Sequence, residues 1–243
     1  MSQTLQGDFD FWWQAPGEWV EPPNERKGGL SGVRFIRPAP EGPAYYVKIQ
    51  HGHLFHSLRY PMGRPTTVRE WHGLKRCQRL GVNAPLPVFF KARKGRQGWQ
   101  AVMVTAALEG YQSLQAMLKD DALESDQRSV VFSALAGNLL RLHRSGYKHG
   151  HLYPKEVLVR LDSDVSASTA LVDLEKCQRR PLARLAAMRD LTRLFGDARP
   201  MGMRDEECCL MMDIYQQAGI RLDRDRLMLP RMCQVRPQAH RHV

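Results

Sequence analysis

The sequence predicts an α+β fold of two lobes, with an antiparallel five-stranded sheet and one helix over residues 1–109 and a mainly helical lobe over residues 110–243. Three observations predict it. Strand-like runs bounded by Gly and Pro fill the chain up to residue 108, helical spacing takes over after Glu109-Gly110, and a pair of short strands interrupts the helical half.

The first three strands are WVEPPN (19–24), VRFIRP (33–38) and AYYVKIQ (44–50), with a turn at Pro40-Glu41-Gly42-Pro43. Between the first two lies ERKGGLSG, whose Gly28, Gly29 and Gly32 would let backbone N–H groups approach a phosphate without side-chain obstruction. Glycines also serve ordinary hairpin turns, so this signal alone does not choose between the two uses. The histidines of HGHLFH, His51, His53 and His56, are expected in a mobile loop, because no second ligand group stands at a recognisable metal-site spacing.

A helix follows from Thr66, with Thr66 or Thr67 as its cap, Trp71 and Leu74 on one face, Glu70 in its first turns and Gly81 as its stop. LPVFFKARK and GWQAVMVTAAL then form an antiparallel pair that completes the sheet. Beyond residue 110, SLQAMLKD and Ser125 to His143 read as helices, the second with Val131, Leu135, Leu139 and Leu142 on one face. The loop KHGHLYPKE leads into the strands VLVRL and TALVDLE. PLARLAAMRDLTRLF, with Leu182, Leu185, Leu191 and Leu194, and EECCLMMDIYQQA are the last helices.

Hydrophobic residues at 43% and charged residues at 25% support a packed core and exclude extensive disorder. No apolar run approaches the roughly 20 residues that cross a bilayer, and the acidic start MSQTLQGDFD is unlike a signal peptide, so a cytoplasmic protein is expected. The five cysteines form no CxxC pair and are odd in number, which suits reduced thiols; Cys208 and Cys209 read as small hydrophobes on a helix. The net charge of +11 implies attraction to anions. Lys176, Arg179, Arg180, Arg184, Arg189, Arg193, Arg199 and Arg204 concentrate it in one stretch, which can grip phosphates or simply face solvent. Recognisable nucleic-acid motifs are absent.

A glycine turn, a strand lysine (Lys48 in YYVKIQ), a helical glutamate (Glu70), a histidine loop and a strand-end aspartate (Asp173 in ALVD) occur in the order of a protein kinase. With KHGHLYPKEVLV, LVDLEKCQRR and RDLTRLF, the chain resembles the bacterial lipopolysaccharide core kinase family of the Kdo/WaaP and InaA-like type, from about Trp19 to at least Phe195.

The resemblance implies that Lys48, held by Glu70 and helped by the 28–32 glycine loop, meets the phosphates of ATP, while Asp173 and Glu156 hold Mg2+. It implies that His149 opens the catalytic loop and that Asp190 fixes the loop's backbone. The position of the catalytic aspartate, two residues after His149, is occupied by His151. An imidazole can serve as a general base, but the loop can equally belong to a pseudokinase that binds nucleotide and acts through a partner in envelope or acid-stress physiology. The implied acceptor is an anionic glycolipid, the lipopolysaccharide core, reached at the cytoplasmic face of the inner membrane by peripheral contact.

Overall fold

The computed structural model describes residues 7–26, 29–96, 98–163 and 165–229. Gly28, Cys233 and the basic tail singled out in the sequence lie outside them. Two short strands, β1 (Glu18–Trp19) and β2 (Asn24–Arg26), pair with the same neighbour, β3 (Gly29–Ile36). The sequence predicts one strand over 19–24; it breaks at Pro22 and Pro23, which have no N–H to give to a ladder. With β4 (Tyr45–His51), β7 (Pro87–Gly95) and β8 (Gly98–Ala106), the order is β1-β3-β4-β8-β7, antiparallel throughout, with β2 beside β3. The sheet therefore counts six strands because its first is in two pieces.

Between β4 and β7 the chain makes a hairpin, β5 (Leu54–Ser57) and β6 (Tyr60–Pro65). This corrects the expectation of a mobile loop at His51, His53 and His56. His51 closes β4, and Leu54 to Ser57 pairs antiparallel with β6, placing His56 within a strand.

The period of β4 decides what each face of the sheet does. Tyr45, Val47 and Ile49 are buried on one face, in a cluster with Phe9 and Trp12 of α1 (Phe9–Gln14). Nothing in the residue pattern predicts this helix, and six residues are too few to be helical alone. Asp8 caps it by accepting from the Phe11 N–H at 2.8 Å, and burial of Phe9 and Trp12 on the sheet stabilises it. The other face of β4 carries Lys48 and Gln50 toward α2 (Thr67–Leu80). Gln50, 2% exposed, accepts from the Thr67 N–H at 3.2 Å and donates to the Thr66 hydroxyl at 2.8 Å. The sheet thereby caps the helix, a task the sequence assigned to the threonines themselves. Gly81 ends α2 in the left-handed conformation, as its position predicts.

The second half contains β9 (Gln112–Ser113), α3 (Leu114–Lys119), α4 (Ser125–Arg144), β10 (Tyr147–Lys148), β11 (Val157–Ser163), β12 (Ser166–Leu171), β13 (Gln178–Arg179), α5 (Ala183–Ala198), α6 (Asp205–Gln217) and α7 (Arg224–Met228). β11 pairs with β9 and β12, and β10 pairs with β13. The anticipated α4 stripe of Val131, Leu135, Leu139 and Leu142 is fully buried against Leu191 and Leu194 of α5 and Met211 and Tyr215 of α6. In α5 the predicted face is partly wrong. Leu182 and Leu185 are exposed, and Ala186, Ala187 and Asp190 are buried instead, because the helix turns a carboxylate inward. Among the described residues, no helix is long and apolar enough to cross a membrane. Cys77, Cys177, Cys208 and Cys209 are free thiols.

Trp12 is 0% exposed and its indole N–H has no hydrogen-bond partner among the described residues, so packing is its contribution there. Trp12→Ala should lower the free energy of unfolding by about 3–5 kcal/mol through cavity formation. Trp12→Phe should cost less than about 1.5 kcal/mol. Urea denaturation of both variants checks the difference, and equal losses would contradict the packing account.

Candidate functional site

The β3–β4 register sets Lys48 opposite Val33, and Lys48 leaves the sheet toward α2, where its ammonium donates to Glu70 Oε2 at 2.5 Å. Burial lowers the Lys48 pKa, but Glu70 outweighs burial, Asp173 and Glu175 add to it, and the net direction is upward. Lys48 therefore stays charged.

One residue of α2 that the sequence reading missed brings the two halves together. A Cβ on Gly73 would stand 2.7 Å from both the side chain and the carbonyl oxygen of Leu174, so only glycine lets the helix lie on the 3-10 turn Leu174–Lys176. Asp173 immediately precedes that turn with φ +56°, a left-handed conformation that aspartate tolerates better than most residues. The result is one cavity of about 620 Å³ whose walls include Lys48, Glu70, Glu156 and Asp173, together with Asn24, Gly32 and Ser113.

The glycines meet this cavity unequally. Gly29 and Gly32 lie in β3, not in a loop, and neither has left-handed backbone. Gly29 is pressed against the His51 carbonyl, where a Cβ would come within 2.7 Å, whereas Gly32 reaches the cavity wall beneath the Trp19 ring. Glycine at both positions is explained by close packing.

The loop after β10 is fixed from below. Asp190, 1% exposed, accepts from the His149 N–H at 2.5 Å and the Gly150 N–H at 2.9 Å, and is 3.1 Å from His143 Nε2. Burial raises the Asp190 pKa, but His143, His149 and the Gly150 N–H outweigh it and hold the carboxyl below its ordinary value. His149 is itself fully buried. Its Nε2–H donates to the Val172 carbonyl at 2.8 Å, and its Nδ1 accepts from the His151 N–H at 3.3 Å. Burial pushes its pKa down, and it supports the loop without reaching the cavity. Gly150 has φ +85° and sits 2.5 Å, measured from an added Cβ, below the Lys176 carbonyl, so no other residue fits.

His151 is about one-third exposed and bridges two charged groups. An ammonium can only donate, so Lys176 Nζ at 2.9 Å donates to Nε2, which leaves the proton on Nδ1 to be donated to Asp173 Oδ2 at 3.3 Å. The Tyr153 ring meets the imidazole edge-on at 5.2 Å, and the Tyr153 hydroxyl accepts from Arg193. The sequence reading noted Lys176 and Arg193 only as members of a basic stretch, and it did not single out Tyr153.

Glu156 follows Pro154 in a 3-10 turn and lines the cavity. Burial, with the Asp173 charge added, pushes its carboxyl up to about 7 against the opposing pull of Lys155. Two neighbouring carboxylates, one of them reluctant to ionise, suit a hard divalent cation, and no thiol or imidazole lines the cavity beside them. Among the described residues, no group of three or more His, Cys, Asp or Glu could hold a metal. Asp173 and Glu156 supply the donor type that Mg2+ would take, since that ion is commonly held by one or two carboxylates while substrate phosphates and water complete its shell.

Comparison with known proteins places this geometry among relatives. Residues 10–215 match the Lipopolysaccharide kinase (Kdo/WaaP) family. Protein InaA of Escherichia coli (strain K12) is 36% identical over 203 residues, covering 82% of this chain and 92% of the relative. The 3-deoxy-D-manno-octulosonic acid kinase of Vibrio vulnificus (strain YJ016) is 24% identical over 108 residues, 44% of this chain and 42% of that protein. The solved structure of WaaP in complex with acyl carrier protein superposes with a TM-score of 0.64 at 20% identity, covering 86% of this chain and 82% of that one, which establishes the kinase-like fold.

The Asp190 network carries a pH signature. Its folded pKa lies below the ordinary aspartate value of about 3.9, so its stabilisation is fully present above that value and is lost as pH falls through the folded pKa. Asp190→Asn should lower stability at neutral pH and flatten the acid limb of the stability profile below about pH 4. Denaturant midpoints of the two proteins across that range decide it; parallel acid limbs would assign the acid sensitivity elsewhere.

Proposed function

The chain belongs to the lipopolysaccharide kinase (Kdo/WaaP) family, and we propose that it transfers the γ-phosphoryl group of ATP to a sugar hydroxyl of the lipopolysaccharide inner core. The observation that carries this reading is the convergence of Lys48 and Asp173 on one cavity. Kinase families draw phosphate from ATP, and the two walls divide its needs. Lys48, oriented by Glu70, faces the phosphates. Asp173 and Glu156 hold Mg2+, which when bound neutralises phosphate charge.

In this proposal the acceptor oxygen attacks the γ-phosphorus, the bond to the β-phosphate bridging oxygen breaks, and ADP departs. The acceptor proton passes to His151 Nε2, whose orientation is fixed by the Nδ1–H donated to Asp173. Nε2 becomes available once Lys176 moves off it, and its ammonium is then near enough to meet negative charge on the transferring group. ATP as donor places the reaction on the cytoplasmic side, where the chain would meet its glycolipid at the inner membrane surface.

A second reading is favoured by that same contact. With its lone pair covered by Lys176, His151 can be a structural bridge, and the chain a nucleotide-binding pseudokinase that works through a partner.

Transfer of labelled phosphate from ATP to purified inner-core oligosaccharide separates the two. The kinase reading expects transfer by the wild type and a loss of at least about a hundredfold in Lys48→Met and Asp173→Asn. Nucleotide binding without transfer by the wild type would leave the second reading standing. If His151→Asp then creates activity, the natural histidine marks a degraded enzyme; if it abolishes existing activity, the imidazole is the working base.

A further inference from the structure

We propose that Lys148, with Arg180, Arg189 and Arg193 around it and Lys176 at its edge, forms an anion-binding subsite beside His151 that takes a phosphate monoester or carboxylate borne by the sugar acceptor. The proposal deepens the kinase reading by giving the acceptor's chemistry, and it rests on that reading for the identity of the molecule bound.

Lys148 is 6% exposed in β10 yet makes no hydrogen bond or ion pair among the described residues. The stem is buried but the ammonium is not sealed from solvent, so an anion arriving from outside can reach it. The carboxylate that attracts it, Asp190, already has both oxygens committed to His149, Gly150 and His143. Arg180, Arg189 and Arg193 bring further positive charge to it. Burial first, then Arg180, Arg189 and Arg193, push the Lys148 pKa down, which is the field expected of a site awaiting a counter-ion. None of the four has a carboxylate within ion-pair distance among the described residues.

Placement ties the cluster to the acceptor side of the loop. The Lys148 ammonium lies 3.2 Å from where a Gly150 Cβ would stand, so the missing side chain at Gly150 leaves space beside it. Arg193 stacks over Tyr153 at 4.7 Å and donates to its hydroxyl, and Tyr153 touches His151. Arg189 is exposed and Arg180 and Arg193 are half-buried, so the cluster opens to solvent. None of these four residues lines the cavity of Lys48 and Asp173, which separates this subsite from the proposed ATP position. Guanidinium forks around one ammonium suit the several oxygens of a phosphate or carboxylate.

The test is calorimetric binding to the full chain of deacylated inner-core oligosaccharide, native, phosphatase-treated or carboxyl-reduced, with inorganic phosphate and ATP as separate titrants. The native oligosaccharide should bind at least about tenfold more tightly than the treated sample that has lost the recognised group, which also tells phosphate from carboxylate. Lys148→Gln and Arg189→Gln should each remove that advantage and leave ATP binding unchanged. Arg189 is exposed, so its variant keeps the test open if Lys148→Gln does not fold. Equal binding of native and treated samples, wild-type binding by both variants, or inorganic phosphate binding as tightly as the oligosaccharide would each overturn the proposal. Binding is read without turnover, so Lys148-dependent binding with no phosphate transfer would defeat the kinase reading and leave the subsite standing.

Discussion

The contact between Gly73 and Leu174 is the constraint on which the site depends. Helix α2 is fixed to the sheet by Gln50 and to the turn after Asp173 by the absence of a side chain at Gly73. Lys48 and Asp173 are 125 positions apart in sequence and share no secondary-structure element; they share a cavity because one helix touches both of their supports. A methyl group at residue 73 would push α2 off the turn and open the cavity on the side where Glu70 orients Lys48. The Lys48–Glu70 pair is thus a consequence of packing as much as of charge.

Charge is divided sharply about Asp173. On the cavity side, Glu70, Glu156, Asp173 and Glu175 outnumber Lys48 and Lys155, and burial combined with repulsion from Asp173 and Glu70 raises the pKa values of Glu156 and Glu175. That side is short of positive charge, which is the condition under which a divalent cation is held. On the other side, Lys148, Lys176 and three arginines face few acids, and Asp190 is consumed by the loop backbone. A reaction that brings together a nucleotide with its cation and an anionic acceptor needs these two opposite deficits side by side. The division gives the proposed roles a common electrostatic reason.

Much of this was legible in the sequence, for identifiable reasons. Strands β3, β4, β7 and β8 and helices α2, α4 and α6 announce themselves through alternation, helical spacing and glycine stops. Lys48, Glu70, Asp173, Glu156 and Asp190 could be picked out because their spacing follows a kinase order. What was missed depends on contacts between distant segments. Helix α1 exists by packing on the sheet, and Gly73 looks like any helical glycine until Leu174 is set against it. The glycine-rich segment reads in the sequence as a turn for phosphate approach or for a hairpin, whereas Gly29 and Gly32 are small because a carbonyl and an indole ring lie on them. Leu182 and Leu185 misled the reading of α5, since the buried phase of that helix is set by the carboxylate of Asp190.

The substitution of histidine for aspartate at position 151 acquires a definite physical meaning from its neighbours. A carboxylate there would form an ion pair with Lys176 and repel Asp173. The neutral imidazole instead accepts from the first and donates to the second, so Lys176, His151 and Asp173 form a hydrogen-bonded chain with a single proton order. Its two ends have different tasks: the bond to Asp173 orients the ring, and the Lys176 ammonium covers Nε2, so in the proposed reaction an anionic acceptor that draws Lys176 away uncovers Nε2 while Nδ1–H keeps the ring in place.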